Sequence, residues 1–500
     1  MNSPFNEKRY KELLEGLEIS EIPFSDLNDE KRIDAEYFSK DFVVLNSQLL
    51  RFGTCRIIDI ADVTDGIHTS IDYDENSRIN LISATSPREN YFDLSRQVFI
   101  SEKAHRENPR TALKENDVIV STVGTIGNCA VVNKNILPAN SDRHVGIIRI
   151  KNKFSPYVLS TFILSKYGRM QTLRESTGNV QLNLFIYKLK ELSVPKFSSN
   201  FQNQIDSIVK IALNKLECAK ELYSKAEALL LRELGLVDRR PNNDNISVKS
   251  FKESFWISGR LDAEYYRPQY DDFESIIKYN NWNKLSDLCL LINHGMQPPY
   301  VENGEMRVFS QKWIKDKEID YSFIDDSNEP RTSLQFAKDN PEYVCRKFDI
   351  VHYSVGANIG FCHTYLSNIP MMPGSFITLI RADERKINPI YLGLVLNSII
   401  GRIQSEKRKS GTAQPYIYPK DLREFIIPVL PINIQESIAN KLQESYLLRQ
   451  ESKRLMELAK NAVELAICEA EENAKMYIEK KLKVHRIERD NRGGDRTSNS

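Results

Sequence analysis

Two short segments concentrate the side chains best suited to chemistry. Asp65-Gly-Ile-His-Thr-Ser70 sets a glycine, an imidazole (His68) and two hydroxyls (Thr69, Ser70) within six residues. A glycine lets backbone approach a ligand closely, and the flanking groups donate to phosphates or base edges. An ordinary turn with glycine at positive φ is the plainer account. The counterpart later in the chain is His294-Gly-Met-Gln-Pro-Pro-Tyr300, with Gln297 in place of His68. Cations also gather. Lys103, His105, Arg106, Arg110 and Lys114 precede a glycine-bearing loop, and Arg402, Lys407, Arg408 and Lys409 precede Gly411. Arg169 and Arg174 occupy parallel places in the first half, and Lys312 and Lys315 are weaker candidates. A charge run is usually a solvated face. Recurrence before glycine turns at equivalent places favours phosphate contact instead.

Several enzymatic chemistries are disfavoured. Gln297-Pro-Pro-Tyr300 resembles the Asn/Asp-Pro-Pro-Tyr motif of DNA amino-methyltransferases, which hold a flipped base between amide and ring. No glycine-rich cofactor loop follows a strand upstream, and glutamine misplaces the amide. Thr122-Val-Gly-Thr-Ile-Gly127 and Ser354-Val-Gly-Ala-Asn-Ile-Gly360 lack the Lys-Ser/Thr of a phosphate-cradling loop and read as strand-ending turns. Arg32/Asp34/Glu36 and Arg260/Asp262/Glu264 lack the strand partner of a nuclease site, and their duplication suits a structural cap. The seven histidines show no metal-ligand spacing, and the seven cysteines, an odd number without Cys-x-x-Cys, fit a reducing compartment. A net charge of +1 with 27% charged and 41% hydrophobic residues describes an ordinary soluble protein, so nucleic-acid binding must come from local patches. The N-terminus lacks a signal peptide's apolar core, and no run is long enough to span a bilayer.

The elements that must position these groups are duplicated. Arg32-Ile-Asp-Ala-Glu-Tyr37 returns as Arg260-Leu-Asp-Ala-Glu-Tyr265, a shift of 228. Asn116-Asp-Val-Ile-Val-Ser-Thr-Val-Gly124 returns as Phe348-Asp-Ile-Val-His-Tyr-Ser-Val-Gly356, a shift of 232. Pro156/Pro389, Gly168-Arg169/Gly401-Arg402, Gly178/Gly411, Gln181/Gln414, Pro195/Pro428 and Gln202/Gln435 all share a shift of 233. The chain is a tandem duplication. Strands are expected at 55–60, 79–83, 117–121, 130–132 and 145–150, and helices from Pro156 and Pro389. Residues 201–234 contain neither proline nor glycine. Ile205, Val209, Ala212, Leu216, Ala219, Tyr223, Ala226 and Leu230 follow the alternating four-three spacing of a coiled-coil seam. The same shift yields a second seam of Ile438, Leu442, Met456, Ala459 and Val463, interrupted by Ser445, Arg449 and Ser452. Such polar groups fix register. Leu13-Leu-Glu-Gly-Leu17 resembles Leu231-Arg-Glu-Leu-Gly-Leu236, which suggests a leading helix docked beside the C-terminal one.

These features together resemble the DNA-specificity (S) subunit of Type I restriction–modification systems. The match spans roughly residues 10–475: two tandem heads with Asp-Gly-x-His or a degenerate form, a Val-Gly loop, a Ser/Thr/Gly-Gln segment (Ser176 to Gln181; Ser410 to Gln414), and Pro-x(5–6)-Gln-x-x-Ile opening each long helix. The resemblance implies an α+β chain of two α/β target recognition domains separated by two long helices in an antiparallel coiled coil, with pseudo-two-fold symmetry. The domains are then residues 1–198 (with a leading helix at 1–18), a spacer helix 199–236, residues 237–431, a second spacer helix 432–480, and a flexible tail 481–500. It also implies a non-catalytic, cytoplasmic protein for phage defence. The expected partners are double-stranded DNA, two methyltransferase subunits and, in a full complex, restriction subunits. S-adenosylmethionine would belong to the methyltransferase and no cofactor to this chain. Ser83 and Ser310 join the residues above as candidates to face DNA. The alternatives are an adaptor with protein-binding heads and the recognition portion of a fused methyltransferase.

Overall fold

A computed structural model describes residues 6–27, 32–178, 180–237, 246–411 and 413–494. The chain forms two compact units, residues 1–216 with 450–500, and residues 217–449. Asn179, Thr412 and the ends of the expected leading helix and tail (1–5, 495–500) lie outside the described residues.

The first unit is built on a five-stranded sheet. Its order is Ala61–Asp65, Val145–Ile150, Val118–Ser121, Cys129–Val131, Glu89–Asn90. The first four strands pair antiparallel in succession. A three-stranded sheet lies in the same unit, with Ile79–Ile82 between Phe99–Ile100 and Ala139–Ser141. Val118, Ile119, Val120, Ile147 and Ile148 are fully buried, as runs of β-branched residues demand when both faces of a strand are covered. Helix Pro156–Leu164 starts with proline at its first turn and a Ser155 side-chain cap, and is buried along its length. Residues 55–60, expected as a strand, divide: Thr54–Arg56 pairs with Ser193–Pro195, and Ile57–Ile60 turns into one helical turn. The Asp59 carboxylate accepts from the Arg56 backbone N–H at 2.9 Å, which starts that turn early.

The second unit repeats these contacts with other side chains. A four-stranded sheet runs Cys289–His294, Ile377–Ala382, Ile350–Tyr353, Cys362–Thr364. Met306–Phe309 lies between Arg331–Thr332 and Met371–Pro373. The duplicated residues show why they recur. Asp117 receives both oxygens' contacts from Arg149 Nε at 3.1 Å and the Lys114 N–H at 2.8 Å. Asp349 does the same with Arg381 and the Arg346 N–H. Both aspartates are about 4% exposed, so each carboxylate is a buried charge with its partner supplied. Gln202 accepts from the Ser155 N–H and donates to the Phe197 carbonyl; Gln435 accepts from Asn388 N–H and donates to Leu430. That glutamine therefore ties the start of each long helix to the head.

The long helices are Ser199–Glu233 and Ile432–Cys468. Each contributes one half to each unit. In the first unit, Ser198 donates to Glu471 while Ser452 Oγ donates to the Ala212 carbonyl at 2.6 Å, so the segments run antiparallel. Ile205, Val209 and Ala212 pack in one core with Leu455, Leu458, Ala459, Ala462 and Val463, and Met456 lies partly buried against it. In the second unit, Ser445 Oγ donates to the Ala219 carbonyl at 2.6 Å, and Tyr223, Ala226 and Leu230 share a core with Ile438, with Leu442 packed beside it. Leu216 is half-buried. The two seam serines are buried, each donating to the carbonyl of an alanine on the opposite helix. Arg449 turns away from the seam to Glu318 at 2.8 Å.

Two expectations change. The second helix does not run unbroken to 480: it ends at Cys468, and a new helix spans Glu471–Gly494, past the point where the tail was expected to begin. The leading helix is Glu7–Leu14, and Leu13 and Leu17 are mostly exposed rather than docked.

Candidate nucleic-acid interface

In the first unit, the loops singled out by sequence meet at one edge of the sheets. Ile67 N–H donates to the Ser141 carbonyl at 2.8 Å, pinning the Asp65–Ser70 loop to the end of strand Ala139–Ser141. A Cβ on Gly66 would lie 2.0 Å from the Asp142 carbonyl oxygen, so only glycine permits that approach. The turn after Ile79–Ile82 is held by Ser83 N–H on Ser86 Oγ, and Asp142 N–H closes on the Ile82 carbonyl. Ser121 and Thr125 hydroxyls both donate to the Ala84 carbonyl, which brings in the Val-Gly loop. Thr122 N–H donates to His144, and Leu184 N–H to Thr122, which adds the 142–144 turn and the 177–183 hairpin.

The exposed polar groups on this edge include His68, Thr69, Ser70 and Arg143. Ser83 is half-buried, its hydroxyl 3.1 Å from that of Thr85. His68 Nε2 lies 2.5 Å from Asp65 Oδ2, and Arg110 reaches Asp65 Oδ1 at 3.0 Å. Burial raises the Asp65 carboxyl, but the bonds from His68 and Arg110 outweigh it and hold its pKa below the ordinary value. Arg110 also donates to the Asp65 and Gly66 carbonyls, so it braces the loop. Helix Glu102–Glu107 flanks the edge. Lys103 and Arg106 are exposed on it, while His105 bonds Asn140, a buried amide that also donates to Asn108 and Thr111. Arg143 and His144, whose ring nitrogen lies 3.2 Å from Asp142, carry no repeat signature and escape the sequence reading.

The second unit builds the same edge. Gly295 N–H donates to Ile377 at 2.7 Å and Met296 N–H to Pro373 at 3.1 Å. A Cβ on Gly295 would lie 2.4 Å from the Gly374 and Pro373 carbonyl oxygens, the counterpart of the Gly66 clamp. Gln297 and Tyr300 are exposed on the loop that follows. Gly356 N–H donates to Pro415 and Ile417 N–H to Ser354, joining the Val-Gly loop to the Ser410–Tyr416 hairpin. Ser310 caps the following turn at Lys312 N–H. Lys312 Nζ lies 2.5 Å from Glu329, which also accepts from the Trp313 indole, and Lys315 donates to the Lys312 carbonyl. Beneath the edge, a polar chain runs from His352 Nδ1 to Ser354 Oγ (3.0 Å), to Thr378 Oγ1 (2.7 Å), to His294 Nδ1 (3.2 Å). Burial pushes the His352 imidazole down to about 3.

The other basic cluster is turned inward. Arg169 donates to the Ile126 carbonyl and Asn128, holding the Val-Gly loop from below. Arg402 spends its guanidinium on Asn397 and Asp316 and lies over the Phe361 ring. Arg174 packs 4.0 Å over the Tyr37 ring and donates to the Tyr37 carbonyl. Lys407 is 8% exposed and lies 2.6 Å from Glu274; Arg408 reaches the Tyr265 hydroxyl; Lys409 pairs with Glu406. Arg174, Lys407 and Arg408 meet the tyrosines of the Arg-x-Asp-Ala-Glu-Tyr boxes. Arg32 and Arg260 pair with Asp34 and Asp262, and each stacks on the tyrosine of its box. Repetition marked them as shared, and the shared property is the frame. Lys407 and Arg174, expected as phosphate contacts, both make structural ties within the unit.

Among the described residues, no group of three or more His, Cys, Asp or Glu side chains is placed to hold a metal ion, and no helix is long and apolar enough to cross a membrane. Residues 281–458 match the family model of the Type I restriction modification DNA specificity domain. That segment is similar to the family. It contains the Gly295 clamp, the Val-Gly loop, the hairpin and most of the second long helix, so the matched segment includes the second loop edge. Among solved structures, the chain is similar to the S subunit of the Type I restriction–modification system from M. genitalium, with 13% identity over 82% of this chain and 94% of that one and a TM-score of 0.41. It is also similar to the HsdS subunit from Thermoanaerobacter tengcongensis, with 16% identity over 83% and 96% and a TM-score of 0.26. No curated protein sequence matches significantly.

Proposed function

We propose that this chain is the non-catalytic DNA-specificity subunit of a Type I restriction–modification complex. The supporting observation is the match of residues 281–458 to the DNA specificity domain, together with a first unit that repeats the glycine clamp and the backbone bonds joining the hairpin to the Val-Gly loop. Each edge reads one half of a bipartite target in double-stranded DNA. Cations such as Lys103 and Arg106 set register on phosphates. Exposed side chains at the loop tips, His68, Thr69 and Ser70 on one edge and Gln297 on the other, discriminate bases, each good bidentate pair being worth about 1–3 kcal/mol.

The long helices form an antiparallel coiled coil that sets the gap between half-targets. Helices of 35 and 37 residues are roughly 50–55 Å long at the standard rise, enough to span half-sites one turn of DNA apart, about 34–36 Å. Their outer faces dock two methyltransferase subunits, which bring S-adenosylmethionine, and restriction subunits join where the full complex exists. The protein would act in the cytoplasm in defence against phage.

The test is co-purification with the methyltransferase followed by mapping of methylated DNA. The chain alone transfers no methyl group; with its partner it directs methylation to one asymmetric, interrupted sequence. Methylation by the purified chain, or partner-bound material without sequence preference, would sink the reading. Exchanging roughly residues 20–195 for those of a relative should change one half of the target and leave the other.

A further inference from the structure

Both units place aromatic side chains at the same backbone position, just beyond the glycine–glutamine hairpin. In the first unit Leu184 is buried and fixed by its N–H on the Thr122 carbonyl, and the next residue, Phe185, is 51% exposed. Phe185 stacks on Tyr187, itself 56% exposed, with ring centroids 5.8 Å apart and planes at 16°. In the second unit Ile417 is buried and fixed by its N–H on Ser354, and the next residue, Tyr418, is 38% exposed against Tyr416 at 4.4 Å. Val180 and Leu182, also exposed, extend the first patch toward the hairpin tip. The pattern is a buried anchor followed by an outward ring, made twice with different sequences. It lies beside the polar loops, joined to the Val-Gly loop by the same backbone hydrogen bonds.

We propose that Phe185 and Tyr187 in the first unit, and Tyr418 in the second, contact the bases of bound DNA through their apolar faces. The proposal rests on the DNA-reading function above. Phe185 has no polar atom on its side chain, so it cannot grip a phosphate. What DNA offers such a ring is the thymine methyl group, or the face of a base at a step opened by a wedge. Continuity with the loops that carry His68 and Gln297 is what selects DNA over a protein partner. The rings supply apolar readout beside the hydrogen-bonding readout of the tips.

The complex of this chain with its methyltransferase partner provides the test, using a duplex that contains the mapped target with 2-aminopurine at single positions. Kd is measured across a salt series for wild type, for Phe185→Ala/Tyr187→Ala and for Tyr418→Ala. The expected result is a loss of about tenfold or more in affinity at every salt concentration, with the slope of log K against log salt unchanged, since no charge is removed. The wild-type rise in 2-aminopurine fluorescence at one position should be lost. Phe185→Leu, which keeps an apolar group, should retain part of the affinity and also serves if the double variant misfolds. Unchanged affinity would overturn the proposal. Failure of the variants to co-purify with the methyltransferase would overturn it too and assign the rings to the protein interface. A wild-type complex with no sequence preference would instead bring down the DNA-reading function itself.

Discussion

Acid should weaken the second unit through two buried imidazoles. His352 is buried in strand Ile350–Tyr353, and burial pushes its pKa from the ordinary 6.5 down to about 3; His363, buried in the adjacent strand, goes down to about 4. Both folded pKa values lie below the unfolded one, so between about pH 6.5 and pH 4 the unfolded chain binds more protons and stability falls as pH falls. One pKa unit is worth about 1.4 kcal/mol. From pH 7 to pH 5 each histidine therefore removes about 2 kcal/mol, about 4 kcal/mol together. His352→Val installs the residue that the first repeat has at the corresponding position, Val120, and should abolish about half of this loss. Glu318, raised by burial, works in the opposite direction in both proteins and cancels in the comparison. The chain's three tryptophans, Trp256, Trp282 and Trp313, all belong to the second unit, so urea unfolding followed by tryptophan fluorescence reports on that unit. If the stability difference between wild type and His352→Val is the same at pH 7 and pH 5, the buried neutral imidazole is not the acid-sensitive group and the reasoning fails.

Other outcomes follow from the same geometry. Gly66→Ala and Gly295→Ala should each cost about 1–3 kcal/mol, read as a lowered Tm, because the new methyl meets backbone carbonyls that cannot swing away. Asp349→Ala leaves Arg381 unpaired in a partly buried site and should cost about 3–5 kcal/mol, part of which Arg381→Leu in the same chain recovers in urea unfolding. Lys103→Ala and Arg106→Ala should each reduce the salt slope of DNA binding by about 1 without changing the methylated sequence, whereas Lys407→Ala should lower Tm and leave the slope alone. Ser452→Ala removes a buried hydrogen bond to the Ala212 carbonyl and should cost about 1 kcal/mol in thermal unfolding.

The repeat was legible because its signals are backbone requirements. Asn116 and Phe348 precede the aspartates of their strands at φ of +72° and +74°, so two dissimilar residues mark one kink. The helix read at 201–234 is Ser199–Glu233, and the strand at 145–150 agrees to the residue, since long proline-free or β-branched runs leave few options. Direction was harder. A lysine in a sequence carries its charge but not the way it faces, and Lys407 faces Glu274 while Lys103 faces water. The break after Cys468 carries no proline or glycine to announce it. Phe185 and Tyr187 escaped because exposed aromatics look like core residues until a buried neighbour takes the core position.

The glycine clamps have a consequence for how such a protein can change. At Gly66 and Gly295 main-chain contacts with the neighbouring strand end hold each loop, with Arg110 as a further brace on the first. On the proposed DNA-reading function, substitutions at His68, Thr69 and Ser70, or at Gln297, would alter what is recognised without asking the strands to adjust. On that function a lineage would drift to a new target through a few tip residues while the glycines stay fixed, so variation and scaffold would be kept apart by two missing side chains.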